Sequence, residues 1–140
     1  MKTSTITALI LGFLVFMRSG GIETPQTAIP DSDVHLVDFE DLTYPGAARV
    51  AHVQGVVVVR ASLDDQGRVV DATAISGNAV LIPDTISNVK KWRFQPNPEK
   101  AVVVVYNFRM TDAESKAGCS HFSLLPPNLA NVTACVPKIQ

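Results

Sequence analysis

The sequence predicts a two-layer α+β domain in which helices pack on one face of an antiparallel sheet. Three observations predict it. Val56 to Leu63 and Arg68 to Ser76 are rich in β-branched residues and are joined by Asp64-Asp65-Gln66-Gly67. That turn starts on acids and carries a glycine for positive φ, so the two runs form a hairpin. Ala101 to Met110 is a third, valine-rich strand. Between hairpin and third strand, an amphipathic pattern runs into Lys90-Lys91-Trp92-Arg93-Phe94-Gln95-Pro96, which holds the only tryptophan.

The elements follow in chain order. Val34 to Phe39 alternates apolar and polar residues and reads as a short strand or an extended arm. Tyr44-Pro45 precedes a helix over Gly46 to His52, with Pro45 at a first helical position. Gly55 ends it and the hairpin begins. Ser76-Gly77-Asn78 breaks the second strand. Pro83 and Asp84 open the next helix, in which Ile82, Ile86, Val89 and Arg93 are expected on one row, with Thr85 and Trp92 beside it. Lys90, Lys91 and Arg93 are expected in its last turn, and Pro96 is expected to end it. Trp92 reads as core rather than as a cation–π platform shared with Arg93. Asn97 to Lys100 is a polar loop before the third strand.

Strand faces follow from a period of two. Val57, Val59, Ala61 and Leu63 are expected to face inward from the first strand. Val70, Ala72 and Ala74 do so from the second, and Val102, Val104, Tyr106 and Phe108 from the third. The opposite face then carries Val56, Val58, Val103 and Val105, an apolar patch that calls for a cover. The tail is expected to supply it by folding over part of the sheet, and a homodimer through the same face serves equally. In that tail Thr111 to Gly118 is polar, and Phe122, Leu124, Leu125, Leu129, Val132 and Val136 surround the turn pair Pro126-Pro127.

The chain of 140 residues is 46% hydrophobic and 18% charged, which suits one domain with a core. A net charge of −1 gives no electrostatic case for nucleic acid. Ile6 to Met17 is an almost unbroken apolar run of twelve residues. It spans about 18 Å as a helix, short of a bilayer core of about 30 Å. Lys2 precedes the run and Ser19-Gly20-Gly21 follows it, so residues 1–21 read as a secretory signal peptide. The rival is an inner-membrane anchor over residues 5–17. The expected location is periplasmic or secreted. Residues 22–41 then form a leader arm, and residues 111–140 a C-terminal tail.

Cys119 and Cys135 are the only cysteines, and an even pair in an exported chain reads as one disulfide. A metal site from Cys119, His121 and Cys135 is the weaker reading, since structural zinc takes four ligands. His35, His52 and His121 are scattered without motif partners, and Asp64-Asp65 sits in a turn that favours acids anyway. There is no phosphate-binding glycine loop and no nucleophile elbow. The expectation is a protein that is not an enzyme, with no cofactor, no metal and no small-molecule substrate.

The pattern over residues 42–110 resembles the C-terminal domain of TonB, the periplasmic energy transducer. The residues that carry the resemblance are Tyr44-Pro45, Gly55-Val56-Val57-Val58, Asp65-Gln66-Gly67-Arg68-Val69, Ser76-Gly77, Lys91-Trp92-Arg93-Phe94-Gln95-Pro96 and Tyr106-Asn107-Phe108. The resemblance implies a three-stranded antiparallel sheet in the order two-one-three, with the third strand at an edge. It implies that this edge takes up an extended segment of an outer-membrane transporter as an added strand. On that basis Val102, Val103, Val104, Val105, Tyr106, Asn107 and Phe108 are the expected partner-binding edge, and Thr43, Tyr44 and Pro45 its approach. Trp92, Phe94 and Pro96 are the expected structural anchor. The partner is then a protein, such as a TonB-dependent outer-membrane transporter. The other reading is a self-associating, homodimeric envelope domain without an energy-transducing role.

Overall fold

The computed structural model describes residues 34–112 and 119–138. The stretch read as a signal peptide or anchor lies outside the described residues. The elements are β1 (Leu36–Asp38), α1 (Gly46–Val50), β2 (Gly55–Leu63), β3 (Val69–Ser76), α2 (Ile82–Val89), β4 (Arg93–Phe94), β5 (Ala101–Thr111), β6 (Ser120–Leu125) and β7 (Leu129–Cys135). The class is α+β as expected, but the sheet is larger. Among the described residues it has five strands in the order β3-β2-β5-β7-β6, and β1 and β4 pair separately. The three expected strands do stand in the order β3-β2-β5. The tail adds the other two, so β5 lies inside the sheet rather than at its edge.

The described strands of the tail therefore lie beside the sheet and not over it. Strand β7 runs parallel to β5, from Val105 opposite Leu129 to Thr111 opposite Cys135. Strand β6 returns antiparallel along the far side of β7. The physical reason is alternation. Ala130, Val132 and Ala134 are buried, while Asn131 and Thr133 between them are half-buried on the other face. Such a segment continues both faces of an existing sheet. The expectation that the tail covers Val56, Val58, Val103 and Val105 is thus corrected. Val56 is half exposed, and Val58, Val103 and Val105 remain on the face away from the helices.

Inward positions of β2 and β5 follow the period-two reading. Val57, Val59, Ala61, Leu63, Val102, Val104, Tyr106 and Phe108 are all buried. Strand β3 departs from it. Its register shifts between Ser62 and Leu63, so Val69 opposes Leu63 and turns inward, while Val70 is 61% exposed. A bulge of one residue moves the side chains beyond it to the other face.

Helix α2 ends earlier than its composition suggests. Lys90 is its C-cap, and the Trp92 amide donates to Val89 O at 3.0 Å. No basic residue stands in the last turn, and Arg93-Phe94 is already extended. Other partners claim those backbone groups: Phe94 N donates to Gly67 O and Gln95 N to His35 O, each at 2.8 Å. Two hydrogen bonds to neighbouring segments outweigh one more helical residue. Pro96 thus follows a strand rather than ending a helix.

The core is an aromatic column. Trp92 is 1% exposed and lies 5.5 Å from the Tyr106 ring and 6.1 Å from that of Phe94. Tyr106 stacks on Phe108 at 6.3 Å, and Tyr44 meets Phe108 edge-on at 5.5 Å. Asn88 ties its polar atoms together. Tyr106 Oη donates to Asn88 Oδ1 at 2.8 Å, and Asn88 Nδ2 donates to Glu40 O at 2.9 Å. Trp92 Nε1 also donates to Glu40 O, at 3.2 Å. The buried polar groups of this column thereby have partners, which spares each an unmet desolvation cost of about 1–3 kcal/mol.

The strand edges as candidate functional site

The chemistry this fold can offer a partner is main-chain hydrogen bonding along strand edges, and on the outer side of β5 two different segments of the chain already use it. On the β7 side of β5, the Val105 amide donates to Asn128 O at 3.0 Å, and Thr111 O accepts from Val136 N at 3.1 Å. The backbone groups of Val105, Asn107, Arg109 and Thr111 point toward β7, since alternate residues of a strand point to one side. At the start of β5 the Asn97 carboxamide plays the part of a strand. Its Nδ2 donates to Ala101 O at 3.3 Å, and its Oδ1 accepts from Ala101 N at 3.4 Å. Between that bracket and Asn128, Val103 faces the same side with no strand beside it among the described residues.

The expected site residues fall in two places. Val102, Val104, Tyr106 and Phe108 point into the core, while Val103, Val105 and Asn107 lie half-buried on the opposite face. Asn107 Nδ2 donates across the strands to Asn131 Oδ1 at 3.1 Å. Thr43 is exposed, but Tyr44 and Pro45 are buried. Tyr44 Oη donates to Val53 O at 2.7 Å, and Pro45 O accepts from Arg49 N at 2.9 Å, so this pair fixes the start of α1. Trp92 and Phe94 are buried in the core, and Pro96 is exposed.

A disulfide joins Cys119 and Cys135, with their Cα atoms 4.9 Å apart. It crosses the open end of the β6–β7 hairpin, where Cys135 N also donates to Cys119 O at 3.0 Å. Arg49 Nε donates to Cys135 O at 3.2 Å and ties that end to α1. At the other end, Asn128 Nδ2 donates to Val34 O at 3.4 Å and ties the hairpin turn to the arm. Phe122 of β6 stacks on Phe39 at 5.9 Å and meets Trp92 edge-on at 6.4 Å. The tail thus completes the enclosure of the tryptophan.

Sequence reading missed β6 as an edge. Its outer side, and a groove of about 540 Å³ between Leu124–Asn128 and Val34–Leu36, belong to the described surface. The signal was the alternation of Phe122 and Leu124 with His121 and Ser123, obscured by the two prolines that follow.

Electrostatics adds little to these edges. Burial pushes the Tyr44 and Tyr106 phenols up from their usual range. A hydrogen bond and the charge of Lys100 hold the exposed Asp65 carboxyl down, across 2.7 Å. Among the described residues no group of three acids, histidines or cysteines is placed to hold a metal ion. None of their helices is long and apolar enough to cross a membrane.

Fold and edges together define a small α+β domain whose surface offers strand edges, the equipment of a protein-interaction domain. The family model of the Gram-negative bacterial TonB protein C-terminal matches residues 40–110, half of the chain, and the chain belongs to that family. It is a family of periplasmic-type, protein-interacting, non-enzymatic domains. Strands β6 and β7 lie beyond the matched residues. No curated protein matches the chain.

Proposed function

We propose that this chain is an exported, TonB-like protein-binding module that takes up an extended segment of an envelope or outer-membrane transport protein by strand addition. The observation that carries the reading is the β5–β7 ladder. The side of β5 that the resemblance assigns to a partner accepts a parallel strand in unbroken register over seven residue pairs, here from the chain's own tail. Main-chain pairing of that kind is indifferent to most side chains and gives affinity to any extended segment of suitable alternation. A partner pairing with Val105 to Phe108 replaces β7. Val103, which has no strand beside it among the described residues, is the part it reaches first. Residues 1–21 act as the export signal in this reading, and residues 22–41 as the arm before the domain.

Calorimetric titration with peptides of transporter-box sequence tests the reading, using the oxidised protein and a Cys119→Ser, Cys135→Ser variant. Saturable binding by either form supports it. Heats that stay at the dilution level for both forms would count against it. One observation favours a second reading, a self-associating envelope domain. The strip formed by Val56, Val58, Val103 and Val105 stays uncovered by the described strands of the tail. Sedimentation that shows a concentration-dependent dimer, abolished by Val56→Lys, selects that reading.

A further inference from the structure

We infer that the outer edge of β6 and the groove beside it form a docking site for an extended, uncharged, apolar segment of another protein. The inference rests on the strand-addition reading and names a site for it that stands ready while β7 occupies β5.

The parity of β6 comes first. Cys135 N donates to Cys119 O, and these residues continue the β6–β7 register directly. In an antiparallel ladder such bonded pairs recur every second residue. His121, Ser123 and Leu125 therefore turn their backbone groups to β7. Ser120, Phe122 and Leu124 turn theirs outward, and β6 is the last strand of the sheet among the described residues. Natural edges are usually blunted by charge or proline. Ser120–Leu125 contains no lysine, acid or proline.

The groove supplies the second observation. Phe122 and Leu124 place their side chains on the core-facing side, where both pack against the core. A strand added to β6 sends the residues opposite them to that same side. There lies the groove of about 540 Å³, with Leu124, Leu125, Pro126 and Pro127 on one wall and Val34 and Leu36 on the other. His35 and Asn128 are its polar members, and among the described residues no acid, lysine or arginine lines it. Two apolar side chains spaced by one residue fit it. A charged one loses its water there and finds no counter-charge.

A second copy of this chain fits less well. Each copy carries its arm on the core-facing side of β6, held by the Phe39–Phe122 stack. Paired β6 edges would bring both arms to one seam, where they would compete for the same grooves. A single extended segment brings no arm.

The test uses isotope-labelled protein purified from the periplasm with its disulfide intact. The probe is the blocked peptide Lys-Thr-Val-Thr-Leu-Thr-Val-Thr-Lys, with a control in which serine replaces its three apolar residues. Amide shifts and slowed exchange concentrated at Ser120, Phe122, Leu124 and Val34 to Leu36 are expected, with the control binding about tenfold more weakly or worse. Leu125→Asp places a charge at an exposed groove position and should weaken binding by about tenfold or more without lowering Tm appreciably. Ser120→Pro removes an outward amide, spares the bonds to β7 and should do the same. Binding that shifts β3 or β5 amides instead, unaffected by both variants, overturns the site but leaves strand addition standing. Absence of binding by this peptide and by transporter-box peptides overturns both. A peptide-free dimer with β6 amides protected means that a second copy takes the edge, and overturns the proposal. Protection of the same amides in the free monomer means that residues 22–33 take the edge, and overturns the proposal as well.

Discussion

The Val105 amide donates to the carbonyl of Asn128 at 3.0 Å, and from that bond onward the outer side of β5 pairs with the chain's own tail. Upstream of it, Asn97 brackets Ala101 and Val103 stands between the two. The hairpin that does the covering is held at its base by the disulfide and at its turn by Asn128 to Val34. Partner access to β5 and the stability of the tail are therefore linked, and several measurable consequences come from that link and from the core beneath it.

Removing the disulfide should loosen the hairpin. The bridge spans a sequence separation of 16. On the chain-entropy model a loop of that size contributes about 3 kcal/mol. The Cys119→Ser, Cys135→Ser variant should lose about 2–4 kcal/mol in denaturant unfolding. Its β7-facing amides on β5 should also exchange faster. Unchanged stability would mean that packing of Ala130, Val132 and Ala134 alone holds the tail.

Gly67 is fixed by its contact with Phe94. Its φ is +78°, its carbonyl accepts Phe94 N–H, and a Cβ there would run into the Phe94 carbonyl oxygen. Gly67→Ala should cost about 2–4 kcal/mol, from positive-φ strain together with displacement of β4. Thermal unfolding measures it, and a loss under about 0.5 kcal/mol would show that β4 shifts freely.

Trp92→Ala removes the largest side chain of the core, with contacts to Tyr106, Phe94, Phe39 and Phe122. The expected loss is about 3–5 kcal/mol. A variant of full stability that no longer binds a partner peptide would instead make Trp92 part of the interface.

Alkaline pH should destabilise the domain through its two tyrosines. Burial raises the Tyr106 and Tyr44 phenols in the folded state. A raised folded pKa contributes stability that is whole below the unfolded value of about 10 and shrinks as pH rises beyond it. Unfolding free energy should therefore fall above about pH 10. Tyr106→Phe should flatten that fall to the part due to Tyr44. At neutral pH it should also cost about 1–3 kcal/mol, because Asn88 Oδ1 loses its donor.

The parts of the fold legible in the sequence are those whose signal is local. Strands β2 and β5 announce their inward residues by long period-two runs, and the Asp64–Gly67 turn announces the hairpin. Val70 faces outward because of a bulge, and a bulge leaves no mark in composition. Helix α2 stops short of its basic residues because Gly67 and His35, distant in sequence, claim the backbone of Phe94 and Gln95. The tail was hardest to read. Its inward residues Ala130 and Ala134 are too small to stand out. Its parallel pairing with β5 is decided by packing between segments more than twenty residues apart. The expected edge on β5 failed to anticipate β7 for that reason, and the edge on β6 could not be seen until the tail had a place.

The central claim is that a partner becomes a strand of this sheet, and hydrogen exchange of its edge amides tests it most directly. A transporter-box peptide near saturation should slow exchange at every second residue along one strand. That strand is β6 when the disulfide is intact, with β5 joining once it is removed. Binding that leaves the exchange of all edge amides unchanged would contradict the claim, since the contact would then be made by side chains alone.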